Sequence, residues 1–448
     1  MPQYSRMCGA LLLLALLSCS LPAAEFRAAA TKADITPADL VALWGYSDRS
    51  GPATGTRDPL YAKVLLLDDG ATRLAWVTLD LGRPFGGESM NLVRDRVRSS
   101  AEVTHVCFSA SHTHSGPAID ETYEPGQRPA WETAALDRIA AAIESAAAGL
   151  QPARIGTGEG SVFIGHNRRY LQADGSVKML WRNATRTPTH PLDPRVGVIR
   201  LDNADGHPLA VVVNYACHPV VFGPDNLEYS ADFPGAMAEV VETSFGPDCV
   251  CLFLQGAPGD INPYYDKMKL EEGAETLMRE TGRQLGDEAL RVAKTIETVA
   301  PATPQIQIAF ETRHFKPRYD SEQLLEQLRR QGVSDHYLER YRIYLATPMD
   351  CVVTTALINR EIAIMGMPGE PFVEFGLNFR DRAPAKASYF AGYCNGYHGY
   401  FPTIRAAVEG GYGAVGITAR TEVGAGEAMV DLAVIRLLTM QGLLKTEP

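Results

Sequence analysis

The protein has 448 residues, of which 46% are apolar and 21% charged. This composition supplies one large hydrophobic core or two smaller ones, and it excludes a disordered chain. The formal charge is −11 at pH 7 and the sequence holds no run of Lys or Arg. Nucleic acids and anionic lipid headgroups are therefore excluded as principal partners, and a small molecule is expected instead.

The first 24 residues are typical of an export signal. Arg6 is their only charged residue, and the apolar run "CGALLLLALLSCSLPAA" is too short to span a bilayer and ends in small residues. Two kinds of processing stay open: cleavage near Ala23 or Ala24, or lipidation at Cys19, since "LLSC" resembles a lipobox. Both predict an exported protein, periplasmic or secreted, with a lipid anchor and membrane-surface association in the second case.

Short β-rich apolar runs alternate with helical periodicities through the first 300 residues. The runs predict buried strands at 60–69, 73–81, 104–111, 196–202, 209–216 and 249–256. Apolar residues at three-to-four spacing predict amphipathic helices within 136–150 and 277–293. Helices that cover buried strands indicate an α/β layered domain with a largely buried mixed β-sheet, and its active site is expected at the carboxyl ends of the strands.

The later part of the chain predicts further elements of the same domain. Residues 313–346 are the most charged segment and predict a helical insertion, 356–370 predict a strand and a turn, and 425–444 predict a final helix. Because no repeat or low-complexity linker occurs, residues 25–448 are expected to form a single domain, with a split near residue 300 as the alternative.

The cysteines carry no metal-binding pattern. Six of the eight follow the signal, and none forms a Cys-x-x-Cys pair. Most lie in apolar stretches, so buried free thiols or one or two disulfides are expected.

Four polar turns each follow a predicted strand, which is where ligand sites of open α/β sheets gather. The first is "SASHTHSGP" at 109–117, with His112 and His114 two positions apart. In an extended segment both imidazoles would point to the same side and serve one site, as in many transition-metal sites. The alternative is that these histidines only form hydrogen bonds with the backbone.

The other three turns supply further candidate side chains. His218 lies in "NYACHP", Glu370 in "MGMPGE", and Asp260 and Asn262 in "QGAPGDINP". A structural histidine, an acid at a helix N-terminus and an Asx turn are the respective alternatives. Two histidines, one glutamate and an open position match the ligands of a catalytic zinc, although manganese or iron suits the same ligands.

In this order, the motifs resemble the neutral ceramidase family, zinc amidases that cleave the N-acyl bond of ceramide. "DITP" at 34–37, "NRR" at 167–169, "SADFPG" at 230–235 and "NGYHGYFPT" at 395–403 follow in register, so that the resemblance spans residues 27–440. It implies four zinc ligands: His112, His218, Glu370 and Tyr400. It also implies three residues near the substrate: His114, Arg168 and Tyr412.

The sequence departs from the family pattern at two points. The family has Gly-Asp-x-Ser-Pro, whereas residues 259–263 are Gly-Asp-Ile-Asn-Pro. Asn262 cannot act as a nucleophile, but its amide can donate a hydrogen bond to a developing oxyanion. The family's ceramidases also carry a C-terminal β-sandwich, whereas this sequence ends after one predicted helix. Composition alone would make Tyr400 and Tyr412 core aromatics of a glycine-rich loop.

The residues and the resemblance together predict hydrolysis by a metal-activated water. His114 or Tyr412 would transfer a proton to the leaving amine, Asn262 and Arg168 would stabilise the oxyanion, and Asp260 would orient a ligand imidazole. The expected substrate is a small amphipathic N-acyl amine such as ceramide. The alternatives are a zinc hydrolase of another amide or ester, such as an N-acyl amino acid, a peptide or a cell-wall fragment, and a lipid- or metal-binding homologue without turnover.

Overall fold

The computed structural model describes residues 25–445, so the predicted signal and Cys19 lie outside the described residues. The strands are β1 (Arg27–Asp34), β2 (Gly55–Thr56), β3 (Tyr61–Asp68), β4 (Arg73–Leu79), β5 (His105–Ala110), β6 (Gln151–Ser161), β7 (Gly165–Asn167), β8 (Arg169–Leu171), β9 (Val177–Met179), β10 (Arg195–Asn203), β11 (Pro208–Tyr215), β12 (Glu228–Tyr229), β13 (Val250–Gln255), β14 (Ile261–Pro263), β15 (Ile306–His314), β16 (Asp350–Ile358), β17 (Ile362–Gly366), β18 (Glu370–Pro371), β19 (Ala387–Ala391) and β20 (Tyr400–Phe401). The α-helices are α1 (Gly87–Ala101), α2 (Ala130–Ala148), α3 (Phe233–Phe245), α4 (Ala274–Thr295), α5 (Ser321–Arg330), α6 (Asp335–Ala346), α7 (Val373–Arg382), α8 (Ile404–Glu409) and α9 (Ala425–Met440).

Two mixed sheets form the centre of the molecule. Within residues 25–445, the large sheet has eight strands in the order β13-β11-β10-β6-β1-β3-β4-β5, and the small sheet has four in the order β15-β16-β17-β19. Parallel pairs lie near both edges of the large sheet (β11 with β13, β4 with β5) and at one edge of the small sheet (β17 with β19). The predicted α/β fold class is confirmed, but the second sheet was not predicted, because the pattern of a strand does not show which sheet it joins.

The two sheets pack face to face, and helices cover their outer faces. Side chains of β3 alternate: Val64 packs among α1 and α2, whereas Leu65 packs in the layer between the sheets with Ile364 and Tyr389 of the small sheet. Helices α3 and α4 cover the other half of the large sheet, and α7 and α9 cover the small sheet. The result is an α/β/β/α arrangement, and residues on both sides of position 300 share its central layer.

The strands predicted before residue 300 are present as β3, β4, β5, β10, β11 and β13, and the two predicted helices are α2 and α4. The prediction of one strand and a turn in 356–370 was incomplete. Asn359 and Arg360 both have positive φ, 51° and 59°, as the central residues of a type I′ turn do, and Glu361 N donates to Ile358 O at 3.0 Å. They link β16 to β17, so that the segment contributes to two strands.

Helices α5 and α6 lie between β15 and β16, in the segment for which the sequence predicts an insertion. Helix α6 contacts loops from distant parts of the chain: Tyr337 Oη donates to Ser47 O at 2.6 Å, and Tyr344 Oη donates to His398 O at 3.2 Å. Between residues 25 and 445, we find no helix with the length and apolarity needed to cross a bilayer. The six cysteines of this region are buried free thiols, so the expected alternative of disulfides is not realised.

Strand ends from both sheets meet at one point. Gln255, the last residue of β13, donates through Nε2 to Ser111 O beyond β5 and to Cys217 O beyond β11, both at 2.9 Å. Its own carbonyl accepts from Gly392 N beyond β19, also at 2.9 Å. Because β5 and β13 are the two edge strands of the large sheet, the sheet must curve strongly to bring these turns together.

Candidate metal centre and catalytic site

His112 is held in an unusual backbone conformation just after β5. Its φ is 71°, in the left-handed region that non-glycine residues rarely adopt. The extended conformation, in which both imidazoles would point to the same side, is therefore not adopted at His112. Hydrogen bonds from Ser111 N to Leu79 O and from His112 N to Leu81 O impose the turn. The turn still brings both imidazoles to one place, since the Nε2 atoms of His112 and His114 are 3.2 Å apart.

Glu370 and Tyr400 are paired by two very short strands. β18 and β20 run parallel with Glu370 opposite Tyr400. A Cβ atom at Gly369 would lie 2.5 Å from Gly399 O, so the approach of these segments requires glycine at position 369. The pairing holds a carboxylate and a phenol side by side.

His112, His218 and Glu370 form a buried three-residue cluster whose candidate ligand atoms all lie within 4.8 Å of one another. Glu370 Oε2 is 3.1 Å from His218 Nε2 and 3.4 Å from His112 Nε2. Tyr400 Oη is 3.5 Å from His218 Nε2. The structure thus brings together all four residues that the resemblance implies as ligands.

Backbone carbonyls fix the orientation of both imidazoles. His112 Nδ1 is 2.5 Å from Gly82 O, and His218 Nδ1 is 2.7 Å from Pro258 O and 3.0 Å from Ile261 O. Because a carbonyl oxygen only accepts, each Nδ1 carries a proton, and in the neutral ring Nε2 keeps its lone pair. This is the tautomer in which a histidine binds a metal through Nε2.

The predicted role of Asp260 in orienting an imidazole is wrong. Its carboxylate accepts from Val373 N at 2.8 Å and from Asn167 Nδ2 at 2.7 Å. Carbonyls of the same turn orient the ring of His218 instead, because the tight turn points them inward. Burial raises the pKa of Asp260 to about 6. Its contact with the first residue of α7 ties the turn to the segment that carries Glu370.

Burial keeps the imidazoles of His114 and His218 neutral at pH 7. Burial, followed by the charge of Arg168, lowers the pKa of His218 to about 4. Burial, followed by the neighbouring imidazoles, lowers the pKa of His114 well below its ordinary value. A hydrogen bond donated by Tyr397 Oη to Glu370 Oε1 favours the ionised form of that carboxylate. Neutral rings beside an ionised carboxylate are suited to a cation.

Arg168 connects Asn262 to the candidate ligand Tyr400. Its Nη1 donates to Asn262 Oδ1 at 3.0 Å, and its Nη2 donates to Tyr400 Oη at 3.0 Å and to Gly259 O at 2.7 Å. Since the Asn262 oxygen accepts from the guanidinium group, its NH₂ group points away from Arg168. The structure therefore places Arg168 in contact with the candidate ligand Tyr400, and Asn262 in contact with Arg168.

Tyr412 lies at the entrance of the site. Its ring makes edge contacts with Tyr400 and with Trp181, at centroid distances of 5.5 and 5.3 Å. The side chain is 44% exposed, so the alternative that Tyr412 is a core aromatic is wrong.

Two further tyrosines contact the cluster and were missed by the sequence reasoning. Tyr397 Oη donates to Glu370 Oε1 at 2.5 Å. Tyr393 stacks on the His112 ring at 4.2 Å, and its Oη is 3.4 Å from Glu370 Oε2. The available signal was the recurrence of tyrosine at 393, 397 and 400 in one glycine-rich segment, of which only the last was singled out.

A family model described as "Neutral/alkaline non-lysosomal ceramidase, N-terminal" matches residues 26–279. The chain belongs to this family. The match includes His112 and His218, whereas Glu370 lies beyond it, and it confirms the resemblance drawn from the motifs.

Curated relatives in this family include two bacterial proteins named neutral ceramidase. The Pseudomonas aeruginosa protein is 26% identical over 239 residues, 48% of this chain and 35% of the relative. The Mycobacterium tuberculosis protein is 24% identical over 248 residues, 50% of this chain and 38% of the relative. The matched region thus spans little more than a third of each relative's length.

Solved structures extend the similarity in fold past residue 279. The crystal structure of neutral ceramidase from P. aeruginosa has a TM-score of 0.71 and 20% identity, and the alignment covers 94% of this chain and 75% of that chain. A ceramidase complexed with C2 has the same TM-score and identity, with coverage of 95% and 76%. At this identity the likeness establishes the fold.

Proposed function

We propose that this chain is a zinc-dependent amidohydrolase that cleaves the N-acyl bond of ceramide or of another amphipathic N-acyl amine. The observation that carries the proposal is the convergence of two carbonyl-fixed imidazoles on one carboxylate oxygen. Membership of the ceramidase family supports the amide as the bond that is cleaved.

The side chains of the cluster fit zinc. Ligand atoms held tetrahedrally about 2.0–2.1 Å from zinc lie about 3.3 Å from one another. The separations from Glu370 Oε2 to the two Nε2 atoms, 3.1 and 3.4 Å, are close to this value. Both Nε2 atoms carry a lone pair, and Tyr400 Oη supplies a further oxygen at the same edge of the cluster.

Zinc, when bound, would polarise the scissile carbonyl and lower the pKa of a water molecule toward about 7. The chain's own residues position the remaining chemistry. Arg168 and Asn262 lie on the side of Tyr400 and would present N–H donors where negative charge develops on the carbonyl oxygen. His114, neutral and beside His112, would take a proton from the water and return it to the leaving amine. Tyr412 at the entrance is the second candidate for this proton transfer.

A substrate panel tests the proposal. Zinc-loaded protein is expected to hydrolyse at least one of ceramide, a short N-acyl amine and an N-acyl amino acid, and chelation should abolish turnover until zinc is restored. Hydrolysis that persists in the stripped protein would contradict the proposed metal dependence. Absence of turnover on the whole panel by zinc-loaded protein would contradict the amidase activity.

We also propose that the protein is exported, from the signal-like segment before residue 25. Expression of the full sequence in a bacterial host is expected to give mature protein outside the cytoplasm. Mass spectrometry of its N-terminus distinguishes cleavage near Ala23 or Ala24 from lipidation at Cys19. Unprocessed protein in the cytoplasm would contradict the proposal.

A further inference from the structure

Three side chains border the site between His114 and Arg168: Tyr46, Trp181 and Lys267, here called the lysine rim. The Tyr46 ring packs on His114 at a centroid distance of 4.8 Å. Lys267 Nζ lies 5.7 Å from the Tyr46 centroid and 4.5 Å from the Trp181 centroid. The guanidinium group of Arg168 also lies near Trp181, 5.3 Å from the centroid of its ring. The lysine rim therefore lies between His114, which is proposed to act on the leaving amine, and Arg168, which is proposed to stabilise the oxyanion.

The ammonium group of Lys267 is held between aromatic rings and not by an ion pair. Across residues 25–445 it makes no hydrogen bond and no ion pair, and its contacts are with the two aromatic rings. The side chain is only partly buried, so solvent and a ligand can reach it. Aromatic faces stabilise a cation without using its N–H groups, and these stay available to an anion.

The backbone holds Lys267 in a strained conformation. Its φ is 50°, which a lysine adopts only when surrounding bonds impose it. Lys267 N donates to Val220 O at 2.8 Å, and Lys267 O accepts from the Arg182 guanidinium group. Such strain is concentrated at ligand sites, and here it accompanies the placement of the ammonium group between the two rings.

Charges of both signs surround the lysine rim. The neighbouring carboxylate of Asp266 is fully buried and interacts with the charge of Lys267, but the two groups form no ion pair or hydrogen bond. Arg49 lies over the Tyr46 ring at 4.9 Å, with its Nε and Nη2 atoms lacking hydrogen-bond partners. Lys267, Arg49 and Arg168 face this region, and so do the acids Asp48, Asp232, Asp266 and Glu370. Among the described residues, none of these acids forms a hydrogen bond with the Lys267 ammonium group, which leaves its N–H groups available to a ligand.

We propose that Lys267 binds a carboxylate carried by the amine portion of the substrate, which makes N-acyl amino acids the preferred substrate class. This inference rests on the proposed amidase function. The amine portion is assigned to the rim because Tyr46 packs on His114, the residue proposed to return a proton to the leaving amine. Ceramide, whose amine portion is uncharged, would leave Lys267 without a partner.

A matched pair of substrates isolates the charge. N-octanoylglycine and N-octanoylglycinamide share the scissile bond and differ in the carboxylate. Zinc-loaded wild-type protein is expected to have the higher kcat/KM for the acid. Lys267→Met should lower the ratio of kcat/KM for the acid to kcat/KM for the amide by about ten- to a hundredfold, because a hydrogen bond to a charged group has this strength. Most of the change should be a higher KM for the acid. Lys267→Arg should retain most of the ratio, and Lys178→Met, at an exposed lysine of β9, is the matched control.

The outcomes separate this inference from the proposed function. If the substrates are hydrolysed and Lys267→Met leaves the ratio of the two kcat/KM values unchanged, the role of Lys267 is overturned and the amidase function stands. The same conclusion follows if the wild type prefers the amide. No hydrolysis of either substrate or of ceramide by zinc-loaded protein overturns both. If circular dichroism shows that Lys267→Met does not fold, the role of Lys267 is decided by the ratio of the two kcat/KM values in the wild type and in the Lys267→Arg variant.

Discussion

Arg168 links separate parts of the candidate site through one buried guanidinium group. Its hydrogen bonds reach Asn262, Tyr400 and Gly259 O. We expect Arg168→Lys to lower kcat/KM by about 10²–10³, because lysine keeps the charge but loses the planar fork that positions an oxyanion donor.

Steady-state kinetics and zinc content measured by plasma mass spectrometry check this prediction together. Zinc should remain stoichiometric, since Arg168 is not a proposed ligand. Arg405→Lys, at an exposed position of α8, is the control. An Arg168→Lys variant with activity within twofold of wild type would exclude a role in the transition state.

Substitutions of Asn262 distinguish a hydrolase from a homologue that binds the substrate without cleaving it. If its NH₂ group donates to the oxyanion, Asn262→Ala should lower kcat by about 10²–10³ with little change in KM. If the wild type binds substrate without turnover, Asn262→Ser should instead create activity that the wild type lacks. Measuring kcat for the three proteins on one substrate separates the two functions.

At the scale of secondary-structure elements, Gln255 joins the ends of strands that are far apart in the chain. Gln255→Leu would leave Ser111 O and Cys217 O buried without a donor, at a cost of about 1–3 kcal/mol for each group. We expect a lower free energy of unfolding in urea and weaker zinc binding, because the turns that carry His112 and His218 lose their common support.

The exposed Gln172→Leu variant is the control for this substitution. A Gln255→Leu protein as stable as wild type would show that the curvature of the large sheet does not depend on this residue.

The sequence predicted the strands and the turns of the site better than their arrangement. Continuous apolar runs identify buried strands wherever they occur, and the order of the motifs singled out His112, His218 and Glu370, which the structure brings together. The left-handed turn at His112 was not predictable, because hydrogen bonds to a neighbouring loop impose it. The carbonyl contacts of His218 were also missed, since a backbone oxygen has no signature in a sequence.

At the scale of the whole molecule, three buried acids make stability depend on pH. Burial raises the pKa of Asp232 to about 7 and those of Asp260 and Asp266 to about 6. The folded state therefore holds these protons more firmly than the unfolded chain. Their contribution to stability is fully present below the unfolded pKa of about 4. It is lost as the pH rises from there through the folded pKa, by up to about 1.4 kcal/mol per group for each pH unit, and the loss ends above the folded pKa.

Asp232→Asn tests this linkage away from the candidate metal site. Asp232 accepts from Phe233 N and Phe222 N, which an amide oxygen can also do in part. In urea titrations at pH 5, 6, 7 and 8 with a chelator present, the variant should lose less stability with rising pH than the wild type. Equal slopes for the two proteins would show that Asp232 ionises normally in the folded state.

The central claim is that side chains from three distant turns hold one cation, and zinc titration of metal-free protein tests it most directly. Wild type is expected to bind one zinc ion per chain, whereas His112→Ala, His218→Ala and Glu370→Gln should each lose tight binding. His207→Ala, at an exposed histidine, should bind like wild type. Stoichiometric, tight zinc binding by all three cluster variants would contradict the claim.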